Sequence, residues 1–322
     1  MRRPFTILMM FLSVAVFAMP FATPSAYAEQ LNWNRDKQGY YSIYTFSWKD
    51  FAGQPQTLKF KVENDKTDQA HETDKTFLLD EALDIKFEKA QREARIRSTS
   101  GVSVVPYRMR NGNINYQYSG DTNRARAIIE SVERRANSAM EDYLQQKNYR
   151  LKSNGRIESD YQTMARDNFL EMRPLARAIQ KATRGMSMRE TMNYTLSFLQ
   201  SIPYETISPA QGDRGNYIFN SPLTLISDNK GDCDEKSLAF GTLMRLLYPN
   251  LKMGIILVPG HAFVAMKMDS EKGDMILPVG NDQYVVAEPV GPAYMPVGQI
   301  HQNSQYKLQA GGAQFREIPT RF

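Results

Sequence analysis

One cysteine and three histidines in 322 residues leave few ways to assemble a nucleophilic site. Cys233 stands in Asn229-Lys230-Gly231-Asp232-Cys233-Asp234-Glu235-Lys236-Ser237, and Leu238, Ala239, Leu243, Leu246 and Leu247 follow at helical spacing. The cysteine therefore falls in the first turn of an apolar helix. Attack on a carbonyl needs thiolate, and the partial positive charge at a helix N-terminus lowers a thiol pKa. Gly231 allows the chain to turn tightly into the helix, and unbonded backbone N–H groups there can stabilise an oxyanion.

A thiol also needs a base. Of His71, His261 and His301, His261 follows Pro259-Gly260 and opens the strand Ala262-Phe263-Val264-Ala265-Met266, on the face shared with Phe263 and Ala265. A further strand, Tyr284-Val285-Val286-Ala287-Glu288, ends in a carboxylate just before Pro289. Two adjacent antiparallel strands put His261 beside Glu288, which then fixes the ring tautomer and supports its positive charge. Each residue alone has a plainer role, as core thiol, satisfied strand histidine or strand-end acid. The three types in this order on fitting elements favour a Cys233–His261–Glu288 triad. Asp269, Asp274 and Asp282 lie in the polar connection 269–283, where solvated turn residues are expected. Gln200 is a weak oxyanion candidate, and a surface or helix-cap role is the stronger reading for it. Asp234 and Glu235 complement the helix dipole. No second His or Cys is spaced to complete a metal site, and thiol chemistry needs no cofactor.

The elements that position these residues begin with a period-two pattern from Tyr40 to Glu63, a hairpin turning at Gly53 to Pro55. The polar stretch Asn64 to Lys75 reads as a linker containing His71. A helix follows over Phe77 to Arg97, then a hairpin, Val102 to Arg110 and Asn113 to Tyr118, joined by Asn111-Gly112 in a type I′ turn. Helical spacing returns from Thr122 to Lys147. A small hairpin around Asn154-Gly155 spans Tyr149 to Glu158, and Tyr161 to Lys181 is helical again. Ser187-Met188-Arg189-Glu190 fits a capping box that opens a helix to about Ser201. Short buried strands appear after Lys252, and a domain boundary is placed near 185.

Arg2-Arg3, the apolar run Thr6 to Met19 and Ala26-Tyr27-Ala28 together have the form of an export signal over residues 1–28, with the mature chain starting at Glu29. The run is shorter than the ~20 residues a membrane span requires. Nothing comparable follows, so no membrane span is expected once the signal is removed. The expected location is the periplasm or the exterior. The mature chain keeps 38 basic residues against 35 acidic ones, interspersed, which gives no concentrated field for nucleic acid. A lone cysteine excludes an internal disulfide.

Phe198-Leu199-Gln200-Ser201-Ile202-Pro203-Tyr204, Pro222-Leu223, Gly231-Asp232-Cys233-Asp234-Glu235-Lys236-Ser237, Pro259-Gly260-His261-Ala262 and Glu288-Pro289 resemble the transglutaminase-like branch of the papain-type cysteine enzymes. The resemblance covers about residues 186–300. It implies an α+β fold with a cysteine helix packed on an antiparallel sheet over 186–322, preceded by a β-hairpin and helical region over 29–185, with Glu288 where the family more often has Asp. The expected function is an exported thiol-dependent acyl-transfer enzyme that hydrolyses a peptide or carboxamide bond of a protein or peptide substrate, possible substrates including cell-envelope proteins. The alternatives are a cross-linking transglutaminase and a non-catalytic envelope scaffold on the same fold.

Overall fold

The period-two stretch Tyr40 to Glu63 folds as the hairpin β2 (Tyr41–Lys49) and β3 (Pro55–Glu63). A strand that precedes it, β1 (Gln30–Gln38), which the sequence pattern does not mark, pairs with β2 in the order β1-β2-β3. The computed structural model describes residues 27–320 apart from 75–76, 111, 153–154, 156, 206–215 and 218. Most of the expected leader, and Asn111 and Asn154 of the two Asn-Gly pairs, thus lie outside the described residues. Next come α1 (Asn64–Thr73), β4 (Phe77–Leu78), α2 (Leu79–Arg97), the hairpin β5 (Val102–Arg108) and β6 (Ile114–Gly120), and α3 (Thr122–Gln145). The short pair β7 (Tyr149–Leu151) and β8 (Ile157–Ser159) leads to α4 (Tyr161–Asp167), α5 (Arg173–Ala182) and α6 (Met188–Ser201). After β9 (Asn216–Tyr217), paired with β4, come α7 (Pro222–Asp228) and α8 (Cys233–Leu247). The chain ends with β10 (Met253–Val258), β11 (His261–Met266), β12 (Ile276–Val279), β13 (Asp282–Ala287), α9 (Gln302–Gln309) and β14 (Gln314–Ile318). The last five strands form one antiparallel sheet in the order β12-β13-β11-β10-β14. The architecture is α+β with antiparallel sheets.

Alternation along the sheet separates two faces. Ile255, Val264, Met266, Val285 and Ala287 enter the main core with Leu238, Ala239 and Leu243 of α8. Phe263, Ala265, Tyr284 and Val286 form a second cluster with Ile300 and Leu308, under α9. The main core also takes Tyr44, Phe46 and Trp48 of β2 and Leu58 of β3. Phe46 and Trp48 meet the Phe198 ring at 5.1 and 5.2 Å, and the Trp48 indole donates to Ser197 Oγ at 3.0 Å. The boundary drawn near 185 falls between α5 and α6, and this one core holds residues from both sides of it. The apolar face of α3 divides: Ala125, Val132 and Ala136 pack with α2 and β5, while Met140 and Leu144 reach the main core.

Several elements differ from their sequence patterns for physical reasons. β1 shows no clean alternation because it is an edge strand, exposed along most of its length and studded with charge. The polar linker at 64–73 is helix α1, whose Thr67 is buried and whose His71 and Asp74 reach α7. The helical stretch 161–181 breaks into α4 and α5, because Pro174 cannot donate to a preceding turn and instead opens α5. Asp274 is no solvated turn residue: its side chain is buried and accepts both terminal nitrogens of Arg189, at 3.1 and 2.7 Å. The capping box at Ser187 forms as the pattern predicts, Glu190 accepting the Ser187 N–H at 2.7 Å.

His71 joins α1 to the end of α7. Its Nδ1 lies 2.7 Å from the Thr67 carbonyl and its Nε2 2.8 Å from Asp228 Oδ1. Both neighbours are acceptors, so the imidazolium satisfies the pair and the neutral ring does not. Burial lowers the His71 pKa, with Arg35 acting the same way, but the Thr67 carbonyl and Asp228 carboxylate outweigh them and raise it above its usual 6.5.

Trp48→Ala should cost about 3–5 kcal/mol in urea denaturation, as removal of a buried aromatic from a shared core does. A raised histidine pKa stabilises below the unfolded value and loses that contribution as pH rises through the folded one. The His71→Gln variant should therefore unfold at lower urea than the parent at pH 5.5, and the gap should narrow at pH 8.5.

Candidate active site

The chain turns into α8 through a dense set of backbone and carboxylate bonds. Asp232 is the N-cap, its Oδ1 accepting the N–H groups of Asp234 and Glu235 at 3.0 and 3.1 Å. Glu235 completes a capping box by accepting the Asp232 N–H at 3.0 Å, and its other oxygen takes the Asn220 N–H at 2.7 Å. A Cβ on Gly231 would stand 2.7 Å from both Glu235 Oε2 and Leu225 Cδ1, so any other residue there would have to push the Glu235 cap or Leu225 aside. The Lys236 ammonium, fully buried, donates to the Ile202 carbonyl and holds Pro203 and Tyr204 beside the turn, where Tyr204 bridges Gly231.

His261 is the first residue of β11 and Glu288 follows the last of β13, so both lie at the same edge of the sheet. They share the side-chain parity of Phe263 and Val286, the face under α9, and the neighbouring Ala262 reaches the start of α8 through its N–H. His261 Nε2 lies 2.6 Å from Glu288 Oε1. The carboxylate is buried and also accepts Ser304 Oγ at 2.8 Å and the His301 N–H at 2.6 Å. Burial raises the Glu288 pKa, but the bonds from His261, His301 and Ser304 and the charge of His261 prevail and lower it. A carboxylate beside Nε2 makes that nitrogen the donor and leaves Nδ1 as the basic one. The longer arm of Glu288 thus still reaches the imidazole.

Cys233 is buried at the start of α8, with the Ala262 N–H bonded to its sulfur. The thiol is directed at Asp234 Oδ1, 3.3 Å away, and not at the imidazole. The Tyr204 hydroxyl also bonds the sulfur. Burial, then the charges of Asp234 and Asp232, push the Cys233 pKa up, and the Ala262 N–H opposes them only weakly. The helix N-terminus therefore does not set this pKa alone: burial first, and then the two carboxylates in the same turn, push it the other way.

Gln200 is neither at the surface nor a cap. It is buried, and its amide nitrogen donates to the carbonyls of Glu288 and Met295, at 2.7 and 2.8 Å, while its oxygen accepts the Met295 N–H at 3.3 Å. Both amide hydrogens are thereby engaged, and the residue pins the loop that follows Glu288 instead of facing an oxyanion. Among the described residues, Asp232, Cys233 and Asp234 bring possible ligand atoms within 4.8 Å of one another. Asp232 serves the helix cap, and Asp234 accepts the Tyr161 hydroxyl at 2.7 Å as well as the thiol.

The sequence pattern passes over Tyr204, Ser304 and the His301 backbone. Tyr204 closes the segment Phe198–Tyr204, and its place beside Pro203 is the available signal. Ser304 sits on a short polar helix and gives none. A cleft of about 360 Å³ opens over the pair, lined among others by Tyr204, His261, Glu288 and Ser304.

Glu288→Gln should slow iodoacetamide labelling of Cys233 by about tenfold or more, the scale seen when a histidine loses its orienting carboxylate. Asp274→Asn should leave labelling nearly unchanged and lower the denaturation midpoint, because Asp274 serves Arg189. Equal effects of the two on labelling would remove Glu288 from its orienting role.

No family model, curated protein or solved structure matches the chain.

Proposed function

We propose that the protein is a thiol-dependent acyl-transfer enzyme that hydrolyses a peptide or carboxamide bond, with Cys233 as nucleophile, His261 as base and Glu288 as the orienting acid. The observation that carries this reading is the His261–Glu288 pair, 2.6 Å apart, with the carboxylate held by two further donors beside the start of the cysteine helix. It agrees with the resemblance to transglutaminase-like cysteine enzymes carried by the Gly231–Ser237, Pro259–Ala262 and Glu288–Pro289 blocks. Export through the leader at 1–28 and action on envelope polypeptides belong to the same proposal.

Catalysis begins with the thiol turning from Asp234 to His261 Nδ1, which takes its proton while Nε2–H stays with Glu288. The sulfur attacks the carbonyl carbon, and the electron pair moves onto oxygen. The Tyr204 hydroxyl and the Ala262 N–H, both beside the sulfur, are the donors offered to that oxygen. Collapse expels the amine, which receives the proton from His261, and leaves a thioester. Water then attacks the thioester carbonyl with His261 again as base, the C–S bond breaks, the Cys233 thiolate takes the proton back from His261, and the acid product departs.

The raised thiol pKa favours a second reading, a non-catalytic scaffold with an inert cysteine. Intact-mass measurement separates the two. With an activated peptide ester, the parent protein should gain one hydroxylamine-labile acyl group, Cys233→Ala should gain none, and His261→Ala should acylate at least about a hundredfold more slowly. Asp234→Asn should speed labelling of the parent thiol by removing the carboxylate that holds its proton. A parent chain that stays unacylated, with Asp234→Asn labelling no faster, would establish the scaffold.

A further inference from the structure

The same cleft holds a length of the chain's own backbone. Tyr27 lines it together with His261, Glu288, Pro292 and Ala293, and pairs antiparallel with Ala293. The Ala28 N–H donates to the Pro292 carbonyl at 2.6 Å. Tyr27 is largely solvent-exposed, so it lies across the mouth of the cleft without contributing to the core.

The receiving edge is rigidly built. Gln200 ties the carbonyls of Glu288 and Met295, closing the loop between them from below. A Cβ on Gly291 would lie 2.1 Å from the Gln200 carbonyl oxygen, so glycine lets the loop sit directly on the end of α6. The Tyr294 hydroxyl donates to the Lys49 carbonyl, and its ring meets Phe51 at 5.0 Å. Pro292 and Ala293 belong to no strand of the sheet, and at the cleft mouth the Pro292 carbonyl takes the Ala28 N–H while Ala293 pairs with Tyr27. The segment after Ala28 is fastened separately: Glu29 accepts the Lys49 N–H at 3.1 Å and pairs with its ammonium at 2.6 Å. β1 therefore keeps its own attachment whatever becomes of Tyr27 and Ala28.

We propose that the Pro292–Ala293 edge is a docking subsite for an extended polypeptide backbone, and that Tyr27–Ala28 fills it in the uncut chain. Strand addition of this kind takes its affinity from main-chain hydrogen bonds and its selectivity from side chains in neighbouring pockets. The occupant is an aromatic residue followed by a small one that keeps its N–H. Its position, beside His261 and Glu288, makes the subsite one for the polypeptide substrate of the acyl-transfer reading, on which the assignment of that role rests. Cleavage after Ala28, where the small-x-small pattern falls, removes the occupant and leaves β1 anchored through Glu29.

Two variants of the whole chain test this, both carrying Cys233→Ala so that binding is read without chemistry. Ala28→Pro deletes the N–H that reaches Pro292, and Tyr27→Asp alters an exposed side chain that cannot unfold the core. The probe is a fluorescein-labelled Ser-Ala-Tyr-Ala-Glu-Gln hexapeptide followed by anisotropy. Both variants should bind it at least about tenfold more tightly than the otherwise unaltered chain, which must first displace its own segment; tenfold corresponds to about 1.4 kcal/mol. Equal affinity for all three proteins, or no binding to any, overturns the subsite. Binding by the opened variants stands even if Cys233 proves inert to acylation. Acylation of the parent without peptide binding by the opened variants removes the subsite and leaves the enzyme.

Discussion

The carboxylate cap at the start of α8 is the constraint on which the site depends. Asp232 and Glu235 exchange bonds with each other's backbone, Glu235 reaches across to Asn220, and Lys236 from the same turn holds the Ile202 carbonyl. Two other chain segments, at Ile202 and Asn220, are thereby fixed to one helical turn. Burial, followed by repulsion from neighbouring carboxylates, raises the pKa of both Asp232 and Glu235, and burial lowers that of Lys236 to about 7. Buried charge of this density is costly and survives only where nearly every polar atom is answered. The thiol inherits the field: it is positioned by the cap and burdened by the cap's negative charge.

The positions of the imidazole and of the cysteine helix follow from the end of the sheet, near which both lie. His261 and Glu288 belong by alternation to the face under α9, whereas α8 packs on the opposite face. Only at the end of the sheet do the two faces share a rim, and Cys233 as the first residue of α8 reaches that rim through the Ala262 N–H. A cysteine one turn further along α8 would be sealed in the core. The resting thiol proton lies with Asp234, so proton transfer to His261 includes a side-chain rotation.

The parts of this design that were legible in the sequence are those written in local chemistry. The Ser187–Glu190 box, the Tyr40–Glu63 alternation, the helix behind Cys233 and the pairing of His261 with Glu288 each follow from a short pattern that the structure reproduces. What escaped was set by tertiary context. Asp274 looks like a solvated turn acid until Arg189 of α6 is brought against it, and Gln200 has no local reason to reach the carbonyl of Glu288. The direction of the Cys233 pKa escaped for the same reason. A helix dipole can be read from the residue's position, but burial and the orientation of Asp234 cannot.

The divided packing of α2 and α3 sets a gradient along both helices. Ala82, Met140 and Leu144 anchor their near ends in the main core, while the far ends close over Ala90, Ala94, Val102, Val104, Ala125, Val132 and Ala136, all small side chains. The larger Ile114, Tyr116, Ile128 and Ile129 that pack there are only partly buried. Less apolar area is therefore buried per residue than in the main core, and the far ends and the β5–β6 hairpin form a cooperative unit that opens at a lower free energy. Amide protons on one and the same helix will then exchange by different routes, those near Leu144 through global unfolding and those near Ala125 through a local excursion that leaves the cleft intact.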